Sequence, residues 1–149
     1  MSAEIRILGR GDEAVLESCA VDVFDDPVDA GAAAEFLTDP RHHLAVAIAG
    51  GVVVGSVSAV HTVHPDDPWP ELWINEVAVA PSHRRQGVAR ELLAAMLERG
   101  RELGCSEAWV LTDRHNAPAM GLYAGVGGVE DEGDTVMFTF PLARSNEEE

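Results

Sequence analysis

The stretch ELWINEVAVAPSHRRQGVARELL, Glu71 to Leu93, joins a strand-like run to a helix-like run through a proline, two arginines, a glutamine and a glycine. Such a junction can bind an anion. The first N–H groups of a helix have no intrahelical partner, and the helix dipole adds partial positive charge there. Gly87 lets a ligand reach the backbone with no Cβ in the way. Arg84 and Arg85 add forked, permanently charged donors. Cations at a helix N-terminus oppose the dipole, so paired arginines there suit a bound anion such as a pyrophosphate. The other reading is incidental solvated charge. Just upstream, Glu76 interrupts an apolar run immediately before Val77-Ala78-Val79. A carboxylate in that setting is expected to be desolvated, which favours its protonated form and suits proton transfer near neutral pH. Alternatively Glu76 faces solvent or only orients another group.

The elements that must position these residues are legible from periodicity and stop signals. EIRIL (Glu4–Leu8) alternates as a first strand, and Asp12 can cap a helix running to about Ala20. Pro27 can open a second helix, which Pro40 closes. HLAVAIAG and GVVVGSVSAVHTV read as two strands joined by the hairpin signal Gly50-Gly51. HPDDPWP (His64–Pro70) reads as a rigid polar loop and LWINEVAVA as a fourth strand. RRQGVARELLAAMLERGRELG reads as a helix with Val88, Leu92, Met96 and Leu103 near one face and Gly104 as its stop. EAWVLTD is a fifth strand, NAPAMGLYAGVGG a short helix, and DTVMFTFPL a last strand. A strand, a long helix and another strand predict a right-handed parallel crossover in the second half. The fold class is therefore α/β (α+β), a mixed sheet with helices on its faces. The 149 residues suit one domain, spanning 1–143, with 144–149 as a frayed acidic tail.

Charge narrows the partners. There are 26 acidic residues against 10 basic, all of them arginine, for a net charge of -16. A nucleic acid would be repelled, whereas a cationic partner is favoured; the excess also serves solubility alone. No apolar run is long enough to span a bilayer and no secretory signal is evident, which leads us to expect a cytoplasmic protein with no membrane partner. Cys19 and Cys105 then read as reduced structural thiols. His61 and His64 have H-x-x-H spacing, but on a strand they fall on opposite faces with no further ligand near in sequence, so no metal is expected.

Arg84-Arg85-Gln86-Gly87-Val88-Ala89 resembles the R/Q-x-x-G-x-G/A signature of the GNAT family of N-acetyltransferases, and NAPAMGLYAGVGG resembles a second motif of that family, with Asn and Tyr on a helix before a glycine-ended turn. Ala89 stands where many members have glycine. The resemblance implies a mixed central sheet of six to seven strands flanked by about four helices, and acetyl-CoA as co-substrate. Backbone groups of Val77 and Val79 would bond the pantetheine arm between splayed strands. The amides of Gln86, Gly87, Val88 and Ala89, with Arg84 and Arg85, would hold the pyrophosphate. Asn116 would contact the coenzyme arm. Tyr123 would lie near the sulfur and protonate the departing thiolate. Glu76 would serve as base, directly or through water, and the N–H of Val79 as oxyanion donor.

The acceptor is read from acidic segments. Asp25 and Asp26, in the run VFDDPVDAG, and Asp66, in HPDDPWPELW, would form with Glu76 a wall attractive to a small cationic amine. SHRRQGVARELL, PAMGLYAGVGG and VMFTF are similar to their counterparts in the aminoglycoside 3-N-acetyltransferases of the family, although VMFTFPL lacks the acidic residue those enzymes carry in the last strand. Acetylation of an aminoglycoside amine at the 3-N position is therefore expected. Acetylation of a protein, a peptide or a small polyamine, and a non-catalytic acetyl-CoA sensor, stand as alternatives. A homodimer is compatible with the resemblance.

Overall fold

The structure, a computed structural model, describes residues 3–143. Five strands form one sheet in the order β1-β2-β3-β4-β5. They are β1 (Glu4–Leu8), β2 (His42–Ala49), β3 (Val52–His64), β4 (Asp67–Val79) and β5 (Glu107–Val110). The first four are successively antiparallel and β4 pairs β5 in parallel. Among the described residues there are three α-helices: α1 (Ala30–Thr38), α2 (Val88–Glu102) and α3 (Ala117–Gly125). The expected mixed sheet is present with fewer strands and helices than the resemblance implied.

Helix α2 is the crossover between β4 and β5. Val88, Leu92, Leu93, Met96 and Gly100 lie buried on one stripe against the sheet. The approach is close because two glycines permit it: a Cβ on Gly55 would stand 3.0 Å from Leu92 Cδ1, and one on Gly100 would stand 3.1 Å from Leu72 Cδ2. Helix α1 covers the opposite face, with Ala33 and Leu37 buried. The β2–β3 turn uses Gly50 and Gly51 at φ 58° and 79°, the left-handed pair a two-residue hairpin demands.

Several boundaries differ from the sequence reading. The segment after Asp12 makes only a 3-10 turn, Glu13–Glu17, because the Asp12 carboxylate accepts from Gly9 N–H at 2.8 Å instead of capping forward. Helix α1 starts at Ala30, not at Pro27, since Asp29 caps it by accepting from Ala32 N–H at 2.8 Å. HPDDPWP is not a separate loop: β3 and β4 form one long hairpin, and Asp67 already pairs with His64. Helix α2 starts at Val88, leaving Arg84–Gly87 as the loop before it. Residues 129–143 form no strand, and Phe138 and Phe140 are each 79% exposed. Residues 144–149, expected as a tail, lie outside the described residues.

Candidate active site

The central feature is a divergence of β4 from β5. Ser58 pairs with Glu76 and Ala59 with Ile74, so Asn75 is an extra residue in β4. A bulge of this kind bends and twists its strand. Pairing with β5 covers only Glu71–Ile74 and stops at the bulge. Beyond it, Ala80 N–H donates to Val54 C=O at 2.8 Å. Hydrogen-bonded and non-bonded pairs alternate in an antiparallel ladder. The Val79–Gly55 and Val77–Val57 pairs are therefore the non-bonded ones, and the backbone groups of Val77 and Val79 point away from β3 into the gap. An extended ligand can add there as a strand.

The gap leads to the loop before α2. A 3-10 turn, Pro81–His83, takes the chain off β4. Arg85 and Gly87 then both adopt positive φ, 63° and 81°. Alternation of this type turns successive N–H groups toward one side and makes an anion-binding concavity. Nothing lies within 4 Å of where a Cβ on Gly87 would stand, so that side is open. Val88 and Ala89 contribute unpartnered N–H groups of the first turn. Arg84 is tethered: its Nε donates to Val79 C=O at 3.0 Å, and its guanidinium reaches Asp22 at 4.0 Å. Gln86 Nε2 donates to Ser82 C=O at 3.3 Å.

On the α1 face, a cleft of about 340 Å³ is lined by Phe24, Asp26, Phe36, Leu44, Ser58 and Glu76, among others. Glu76 thus stands where the bulge and the cleft meet. It is exposed rather than desolvated, because the extra residue turns it to the open side of the sheet. Asp26 joins it in the cleft, whereas Asp25 is exposed and does not line it. Asp29 also borders the cleft, with one carboxylate oxygen spent on capping α1. Asp66 lies at the tip of the β3–β4 hairpin, next to Asp67; nine residues of strand at ~3.4 Å per residue put that tip roughly 30 Å from Glu76. Ser58, opposite Glu76, was not singled out from the sequence. A polar residue on the cleft side of the alternating run VVVGSVSAV was its only signal.

Tyr123 lies half-buried on α3, against the core. Burial pushes its phenol pKa up from the ordinary value, so it holds its proton at neutral pH, as a general acid must. Asn116 caps α3, its Oδ1 accepting from Ala119 N–H at 3.2 Å; its NH₂ group is left for another partner. The histidines divide between the two faces. His43 and His61 share a 2.8 Å hydrogen bond beneath α2, and His64 bonds Glu71 at 3.0 Å. Among the described residues no cluster of three His, Cys, Asp or Glu could hold a metal ion, and no helix is long and apolar enough to cross a membrane.

Comparison with known proteins agrees with this geometry. The acetyltransferase (GNAT) family model matches residues 6–127. "N-acetyltransferase family 8 member 2" of Rattus norvegicus is 33% identical over 82 residues, which are 55% of this chain and 36% of that protein. "Aminoglycoside N(6′)-acetyltransferase type 1" of Salmonella typhimurium is 33% identical over 95 residues, which are 60% of this chain and 66% of that protein. The chain therefore spans between about a third and two thirds of the length of these relatives. Among solved structures, AAC(6′)-Iy in complex with a bisubstrate analogue, CoA-S-monomethyl-acetylneamine, superposes with a TM-score of 0.74 at 22% identity, over 96% of this chain and 100% of that one. With the signature loop at the start of α2, the interrupted β4–β5 pairing and a family match over most of its length, the chain belongs to the acetyltransferase (GNAT) family.

Proposed function

We propose that this protein transfers an acetyl group from acetyl-CoA to a primary amine of a small cationic acceptor of the aminoglycoside class. The observation that carries the reading is the continuity of three features: the backbone edge at Val77 and Val79 that faces away from β3, the open loop at Arg85–Ala89, and the acidic cleft holding Glu76 and Asp26. The first two fit the arm and the pyrophosphate of the coenzyme, and the third fits a protonated amine.

Acetyl-CoA supplies a thioester carbonyl at the gap between β4 and β5. Val77 and Val79 orient the arm through backbone bonds, and the N–H of Val79 faces the developing oxyanion. Arg84, Arg85 and the amides of Gln86, Gly87, Val88 and Ala89 hold the diphosphate, with Asn116 on the arm. Glu76 takes the proton that the amine must lose before it attacks, directly or through a water on Ser58. Tyr123 gives a proton to the departing sulfur. No metal takes part.

The aminoglycoside acetyltransferases among the relatives whose names print a position are of the N(6′) type. That favours a 6′ amine over the 3-N position expected from the motifs. Incubation with acetyl-CoA and a panel of aminoglycosides, polyamines and peptides, read by free thiol release, tests the reading. Turnover of an aminoglycoside, lost in Tyr123→Phe, supports it. Turnover of a peptide with no response to any aminoglycoside replaces it with a protein acetyltransferase. Mass and NMR analysis of the product gives the position.

A further inference from the structure

All three tryptophans of the chain lie on one strand pair, β4 and β5. Trp73 and Trp109 are register partners across β4 and β5. Their rings stack with centroids 5.1 Å apart and planes 10° from parallel. They are nevertheless 36% and 37% exposed. Trp69, four residues before Trp73 on β4, is 59% exposed. Between and beside them stand Glu71 and Glu107, which also pair across the two strands.

This face is continuous with the acidic cleft. Val60 pairs with Trp73, and Ser58 pairs with Glu76. Ser58 and Val60 are two residues apart on β3 and so share a face, which places the tryptophan pair roughly 7 Å along the sheet from Glu76. The carboxylates of Glu71 and Glu107 follow one step further on. The opposite side of β4, with Leu72 and Ile74, is packed under α2 and fully buried. The indoles are therefore not needed to close the core. An exposed stack of two indoles rimmed by carboxylates offers an apolar plane for the C–H face of a sugar ring, a π surface for an ammonium, and anions for a second ammonium.

We propose that Trp73 and Trp109, with Glu71 and Glu107 at their edge and Trp69 beyond, bind the distal, non-reacting rings of a multiply charged aminosugar while its reacting amine lies at Glu76. The proposal rests on the acceptor class given above and adds where the rest of that acceptor sits. It makes this face a determinant of affinity for multi-ring amines and leaves single-ring amines indifferent to it.

Intrinsic tryptophan fluorescence reports on this strand pair, because every tryptophan is on it. Titration of the whole chain with gentamicin should give a saturable change in tryptophan emission, and glucosamine at equal concentration should give none. In thiol-release kinetics, Trp109→Leu and Glu107→Gln should each raise KM for gentamicin about 5-fold to 50-fold, with kcat and single-ring turnover unchanged. Both substituted residues are exposed, and thermal melts confirm that the variants fold. Gentamicin turnover with unchanged KM in both variants, or saturation without any emission change, overturns the proposal. If the wild type releases no thiol with any amine, the acetyl-transfer reading fails, and the emission titration still decides this one: a saturable gentamicin response upholds the site, and a flat one removes it.

Discussion

Arg84 Nε donates to the backbone carbonyl of Val79 at 3.0 Å, which ties the first arginine of the signature to the last residue of the strand it follows. The bond links the two halves of the proposed coenzyme site, the strand edge and the loop, through one side chain. The Arg84 guanidinium is more than half exposed and also reaches Asp22 at 4.0 Å, so one side chain spans from β4 to the segment leading into the cleft that holds Asp26 and Glu76.

Arg84→Ala is therefore expected to weaken coenzyme binding with little effect on stability. A hydrogen bond from the guanidinium to a phosphate oxygen contributes about 1.5–3 kcal/mol, and exposure puts this one at the low end. KM for acetyl-CoA should rise roughly tenfold with kcat nearly unchanged. Steady-state kinetics at two ionic strengths checks it; an unaltered KM removes Arg84 from the site.

Gly87→Val separates ligand space from protein space. An added Cβ meets no protein atom within 4 Å, but φ is 81°. A non-glycine residue there costs about 1–2 kcal/mol, which corresponds to a loss of ~2–8 °C in Tm for a chain of this size. The larger effect is on binding, since the side chain projects into the open side of the loop. Calorimetry with CoA should show affinity reduced more than tenfold in a variant that still melts cooperatively.

Gly55→Val tests the placement of α2. The new Cβ alone would stand 3.0 Å from Leu92 Cδ1, 3.2 Å from Val88 Cγ1 and 3.3 Å from the carbonyl oxygen of Ala78. Overpacking of this kind costs about 1–3 kcal/mol. Because Val88 is the first residue of α2, displacement should also raise KM for the coenzyme. A variant with wild-type stability would mean that α2 sits further from β3.

The His43–His61 pair sets a pH dependence of stability. Burial, with the neighbouring His61 and Arg99 charges, lowers the His43 pKa to about 4, and burial lowers that of His61 as well. The unfolded chain then binds more protons than the folded one below the ordinary histidine pKa of about 6.5. The contribution is fully present above that pH and is lost as pH falls toward 4. Thermal melts should show Tm falling between pH 6.5 and 4, less steeply in His43→Gln. Equal slopes would place the titration elsewhere.

Much of the fold was legible because local signals agreed with tertiary ones. Alternation marked β1, β-rich apolar runs marked β2 to β4, and Gly50-Gly51 and Gly104 marked the β2–β3 turn and the end of α2. Where two local signals competed, position was lost: the Asp29 cap, not Pro27, starts α1, and Asp12 is bonded to Gly9. The strands missed their bounds where pairing decides length. Pro68 and Pro70 suggested a loop, yet the hairpin carries β4 back to Asp67.

At the site, the loop residues were legible because glycine and arginine beside a helix start have few other uses. The extra residue Asn75 was not, since a bulge depends on the partner strand's register. The same holds for Ser58 in the cleft, and for the tryptophan face, whose residues lie 36 positions apart in the chain and meet only through the β4–β5 pairing.

The most direct test is residue-resolved amide hydrogen exchange with and without saturating CoA. Val77 and Val79 point their backbone at the gap rather than at β3, so their amides should exchange fast in the free protein. On adding CoA they should slow by at least tenfold, together with the amides of Gly87, Val88 and Ala89. Unchanged exchange at Val77 and Val79 with CoA in excess would contradict the assignment of this strand edge and loop as the coenzyme site.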